Sequence, residues 1–121
     1  SVSVGLLSTN ILVVNNYRDY VQDKASHKRT TIVLFGRSFG RIFYLLNGVM
    51  ALLLAMPLML DAPWWIQFLF AAFFALFYAT WRQLYRFEGR ELNKTLGHTA
   101  RNVFLFTLLL SLLLISLTTG L

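Results

Sequence analysis

The chain has 121 residues, of which 57% are hydrophobic and only 13% charged, against roughly 25% charged in an average soluble domain. So apolar a composition excludes both a water-soluble domain and a disordered segment, and the absence of cysteine excludes a disulfide scaffold, a zinc finger and a thiol nucleophile. The formal charge of +6 comes in blocks, with all eleven Lys and Arg inside 18–41 and 82–101. That is the pattern the positive-inside rule produces, and neither block interleaves base-stacking aromatics with a polar scaffold, so no nucleic-acid partner is expected.

The first element is an apolar run from Val2 to Val14, read as helix over about 1–17. Thirteen residues are too few to cross a bilayer alone. No basic start or small-residue cleavage site marks it as a signal peptide. It is read as the truncated part of a helix that begins upstream.

The stretch that follows, Asn15-Asn16-Tyr17-Arg18-Asp19-Tyr20-Val21-Gln22-Asp23-Lys24-Ala25-Ser26-His27-Lys28-Arg29-Thr30, carries the chemistry. If the helix continues, Asp19 and Asp23 are one turn apart on one face, about 6 Å along the axis. Two carboxylates so placed repel each other, which makes sense if a divalent cation sits between them and a partner. Magnesium takes one or two carboxylates together with phosphate oxygens. Arg18, Lys24, Lys28 and Arg29 could meet the remaining phosphate charge. A solvated loop would also account for Asp-x-x-x-Asp alone. The doubled Asn15-Asn16 at membrane depth adds weight to a site, because buried amides must find partners.

The next spans are expected at 42–60, 64–81 and 100–119, with cytoplasmic loops over 18–41 and 82–99. Aromatics flank the third segment, Trp64 and Trp65 at one end and Tyr78, Trp81 and Tyr85 at the other, as at two water interfaces. Asp61-Ala62-Pro63 makes a short external hairpin, in which Asp61 is expected to cap the following helix and Pro63 to sit in its first turn. Gly36-Arg37-Ser38-Phe39-Gly40-Arg41 lacks the Gly-Lys-Ser/Thr ending of a phosphate loop and reads as the turn into a helix. Asn47 and Gly48 read as packing residues. His27 and His98 read as solvated loop residues, and Glu88 and Glu91 as partners of neighbouring arginines. The fold class is an all-α integral membrane protein with about four helices.

Asn15-Asn16-Tyr17-Arg18-Asp19, then Asp23, Lys28-Arg29-Thr30 and Gly36, resemble the second aspartate-rich motif of UbiA-type intramembrane prenyltransferases. Within that family they are most similar to the branch that prenylates 1,4-dihydroxy-2-naphthoate in menaquinone synthesis, as are Leu92-Asn93, Leu96 and Thr99-Ala100 near the last helix. The resemblance implies a nine-helix bundle in a bacterial cytoplasmic membrane, of which this chain supplies the C-terminal part and the N-terminal helices are missing. It implies Asp19 and Asp23 as the catalytic, magnesium-binding pair. It implies Asn15, Asn16, Arg18, Lys28 and Arg29 as substrate-binding residues for a polyprenyl diphosphate, beside an aromatic acceptor. A facing aspartate motif, typically N-x-x-x-D-x-x-x-D, is expected outside these residues, and the chain alone is expected to be inactive. One departure is His27, where the family usually has glycine.

Two other readings compete. A small multidrug exporter needs an ionisable residue at membrane depth, and the apolar stretches 42–60, 64–81 and 103–117 contain none. A structural or assembly subunit explains the helices but leaves the Asn and Asp spacing to chance.

Overall fold

A computed structural model describes residues 2–87 and 89–119. The described residues are helical: α1 (Val2–Arg18), α2 (Tyr20–Ala25), α3 (Thr31–Phe35), α4 (Arg37–Met59), α5 (Trp64–Arg86), a 3-10 turn (Gly89–Glu91) and α6 (Leu92–Thr119). Three stretches are long and apolar enough to cross a bilayer: Arg37–Met59, Trp64–Arg86 and Gly89–Thr118. At 1.5 Å per residue α4 and α5 are each about 34 Å long, slightly more than the hydrocarbon thickness.

Helix α1 packs against both α4 and α6, and α5 against α6. The buried positions of α1 include Ser3, Leu7, Asn10, Val14 and Tyr17 in steps of three and four, with Val13 beside them, as one inward face of a helix requires. Outward-facing Ile42, Leu46, Met50 and Leu53 of α4 are exposed, which suits lipid rather than water. The interior is aromatic. Tyr44 stacks on Phe77 with ring centroids 5.3 Å apart, and Phe106 meets Phe70 edge-on at 5.9 Å. At Gly48 an added Cβ would overlap the Phe77 ring, so α4 and α5 touch there because a glycine lets them.

Polar groups in the interior are paired. Asn47 donates to Asn10 Oδ1 (2.9 Å), and Asn10 Nδ2 donates to the Tyr44 carbonyl (3.1 Å). The Tyr44 hydroxyl meets Thr99 Oγ1 at 2.8 Å, and Thr99 donates onward to the Thr95 carbonyl. Asn102 donates to Thr80. These bonds tie α1 to α4, α4 to α6 and α5 to α6.

The helices exceed the expected bounds mainly at their charged ends. Helix α4 starts at Arg37 instead of 42, α5 runs to Arg86 instead of 81, and α6 starts at Leu92 instead of 100. Arg, Gln and Leu form helix readily, whereas hydropathy detects only the apolar window, so the stretches 18–41 and 82–99 contain far less loop than expected. Asp61 does not cap α5. The N-cap position is Pro63, whose carbonyl accepts from Ile66 and Gln67, and Gln67 Nε2 reaches back to the Met59 carbonyl at 2.9 Å. His98 is not a solvated loop residue either. It lies half-buried on α6 with Nδ1 3.0 Å from the Gln83 side-chain nitrogen. Glu91 forms no ion pair among the described residues, and Glu88 lies outside them.

Candidate functional site

Helix α1 barely ends at Arg18. Asp19 has φ −90° and ψ 9°, yet its N–H still reaches the Asn15 carbonyl (3.1 Å) and its own carbonyl accepts from Asp23 N–H (2.8 Å). The one-turn spacing of the two carboxylates therefore survives the break between α1 and α2. Asn15 joins them at the same interval. The N-x-x-x-D-x-x-x-D spacing attributed to a facing motif is thus also met by Asn15, Asp19 and Asp23 themselves, so spacing alone does not separate the two motifs.

Helix α2 closes at Ser26 with a Schellman turn: His27 N–H bonds the Lys24 carbonyl (3.2 Å) and Lys28 N–H the Asp23 carbonyl (2.8 Å). His27 has φ +60°, the left-handed conformation that favours glycine. Thr30 then caps α3 by accepting from Val33 N–H (3.2 Å). Gly36, at φ +90°, turns the chain into α4. Gly40 lets α4 close onto α1 and α3, since a Cβ there would lie 2.7 Å from Ile32 Cδ1 and 3.2 Å from Tyr17 Cδ2.

At this end of the bundle lies an open cavity of about 570 Å³ lined by Arg18, Asp19, Gln22, Arg37, Gly89, Arg90 and Asn93. Arg18 is its main brace. It donates to Asp19 Oδ1 through Nε (3.0 Å), to Asn15 Oδ1 through one terminal nitrogen (2.7 Å) and to Asn93 Oδ1 through the other (2.8 Å). The hydrogen bond that Arg18 donates to the Asp19 carboxylate holds its guanidinium above its ordinary pKa, against the opposing effect of desolvation. Asp23 is half-buried, and its Oδ2 is buried with no hydrogen-bond partner. Two carboxylates one turn apart, one oxygen unpaired, form a donor set that a hard divalent cation accepts when phosphate and water complete its shell. Among the described residues no third acidic or histidine ligand joins them.

Of the residues singled out by sequence, Asn15, Arg18 and Asp19 are brought into one network at the cavity, with Asp23 one turn along. Asn16 is half-buried and makes no side-chain hydrogen bond among the described residues, while Lys28 and Arg29 are exposed and do not line the cavity. Residue order gives Arg37 and Arg90 no site role and marks Asn93 only through the family-like Leu92-Asn93. Arg37 reads as part of a turn, and Arg90 and Asn93 reach the cavity only because α6 packs on α1. Tyr17 belongs to the quoted motif but receives no role from it. It is buried, donates to the Leu84 carbonyl (2.8 Å) and accepts from Arg41 (3.0 Å), which fixes the end of α1 against α4 and α5.

A profile of the UbiA prenyltransferase family matches residues 1–109. The chain is also similar to 1,4-dihydroxy-2-naphthoate octaprenyltransferase of Mycobacterium tuberculosis, 38% identical over 78 residues, which is 63% of this chain and 26% of that protein. It thus spans about a quarter of the curated relative it matches. No solved structure matches it. An all-α, multi-pass membrane protein with an aspartate pair at the end of an apolar helix, this chain belongs to the UbiA prenyltransferase family.

Proposed function

We propose that these residues form part of the diphosphate site of an enzyme that transfers a polyprenyl chain to 1,4-dihydroxy-2-naphthoate, on the route to menaquinone in a bacterial cytoplasmic membrane. The family and the name of the mycobacterial relative support that reading. The observation that carries it is the Asp23 carboxylate oxygen, buried without a partner one turn along from Asp19, which itself lines the cavity. Asp19 and Asp23 would hold a magnesium ion together with the donor's diphosphate, and that ion supplies neutralisation of the charge on the leaving group.

The chain's own residues then position and shield. Arg18 orients the Asp19 carboxylate, and Asn15 and Asn93 orient Arg18. The allylic C–O bond breaks with its electron pair leaving on the diphosphate. The ring carbon bearing the carboxylate bonds the allylic carbon, and carbon dioxide departs, returning its electron pair to the ring. The lipid-facing helices keep water from the allylic cation. The acidic residues of the chain contain no second Asp-x-x-x-Asp pair, so a facing aspartate motif from outside these residues completes the site, and the chain alone is inactive in this reading.

The test is prenyl transfer to 1,4-dihydroxy-2-naphthoate in membranes holding the enzyme that carries this segment. Asp19→Asn and Asp23→Asn should each lower magnesium-dependent turnover by ~10²–10³-fold, the scale of losing a preorganised electrostatic group. Near-parental rates in both variants would overturn the assignment.

A further inference from the structure

The charge around the cavity is unbalanced. Three arginines line it, Arg18, Arg37 and Arg90, against one carboxylate, Asp19. Arg18 is already engaged by Asp19, Asn15 and Asn93. Arg37 and Arg90 form no ion pair among the described residues. Arg37 is half-buried, and its Nε is buried with no hydrogen-bond partner. Its guanidinium lies over two aromatic rings, 5.4 Å from the centroids of Tyr17 and of Tyr20. Those rings fix its plane while leaving its donors unspent, the preorganised state in which an arginine fork best takes up phosphate oxygens. Arg90 approaches from another element, the 3-10 turn before α6, whose Gly89 has φ +56°.

We propose that Arg37 and Arg90 are the groups that grip the diphosphate anion, one phosphate each, while Arg18 serves as the positioning residue for Asp19. This assignment rests on the diphosphate reading above and names the cationic side of the same site. A buried donor without a partner is costly, and persists where a ligand completes it. Two forks from separate elements, Arg37 held over its two rings and Arg90 on the exposed turn, favour an ion with two phosphate groups over one with a single group.

The experiment measures binding of inorganic pyrophosphate to the whole chain in dodecyl maltoside micelles, which contribute no phosphate. It is run once in EDTA and once with magnesium. Arg37→Gln and Arg90→Gln should each weaken binding about tenfold in both conditions, the scale of one charge-assisted hydrogen-bond set. Lys94→Gln, an equal loss of charge at an exposed residue that does not line the cavity, should leave it within about twofold, as expected of a solvent-screened charge. Orthophosphate should compete about tenfold more weakly than pyrophosphate.

Arg90 lies on an exposed turn, so its substitution tests the site even if loss of Arg37 from between its two rings perturbs folding. Parental binding in Arg90→Gln, equal competition by orthophosphate, or no pyrophosphate binding in either condition would each overturn the proposal. So would a loss confined to Lys28→Gln or Arg29→Gln. Because no prenyl transfer is read, these results stand or fall separately from the identity of the reaction. Arginine-dependent pyrophosphate binding with no transfer to the naphthoate would retain the anion site and reject the acceptor.

Discussion

Midway along the bundle, Asn10, Asn47, Tyr44 and Thr99 lie buried among apolar helices, and each side chain finds a partner on a neighbouring helix. At the charged end of the bundle, Asp23 and Arg37 each keep a buried polar atom that finds none. The two regions differ in what the unpaired state would cost. In hydrocarbon an orphaned amide has no water to fall back on, so the interior set is closed and its work is to register the helices. Beside an open cavity, unspent donors and acceptors can be completed by a ligand. Polarity that is satisfied internally holds this fold together. Polarity left over marks where something else binds.

That contrast can be broken experimentally, most forcefully at the point where helices touch. Gly48→Ala should destabilise the bundle by about 3 kcal/mol, because the Phe77 ring occupies the space a methyl would need. The midpoint of helicity loss during an SDS titration would report it. Asn10→Ala should cost about 1–2 kcal/mol in the same titration, since Asn47 loses its acceptor and the Tyr44 carbonyl a donor. Its effect on pyrophosphate binding should stay within the loss of folded protein.

Asp23→Asn should do the opposite, removing magnesium-dependent transfer while raising stability by about 1 kcal/mol. Neutralisation relieves both a buried unpaired carboxylate oxygen and the repulsion from Asp19 one turn away. A destabilised Asp23→Asn variant would place Asp23 with the structural set instead. The smallest effect is expected at His27→Gly, a gain of about 0.5–1 kcal/mol. It relieves a non-glycine residue held at φ +60° in the turn that closes α2, less the extra freedom glycine gives the unfolded chain. Helicity loss on heating in detergent would detect it.

Much of this was readable from residue order. Apolar length marked the spans, and the interval between Asp19 and Asp23 put them on one helix face even though the chain bends at Asp19. The departure from the family's usual glycine at His27 falls on a left-handed turn, a conformation that residue order alone does not announce. Other features depend on contacts between distant residues. Arg37 and Arg90 are far apart in the chain and line one cavity only because the helices pack. Asn10 sits within a run that averages as apolar, so no composition window isolates it, and only the facing Asn47 shows why it is there. The helix ends were missed because lipid-facing apolarity stops several residues before the backbone hydrogen bonds do.

The tie between α4 and α5 is only Leu60–Pro63, with Gln67 folded back onto the Met59 and Ala62 carbonyls. Four residues cannot reach from one side of a bilayer to the other, so neither helix can be threaded while its neighbour waits outside. During biosynthesis the pair must therefore partition into lipid as one hairpin, and an ionic substitution within either span taxes the insertion of both.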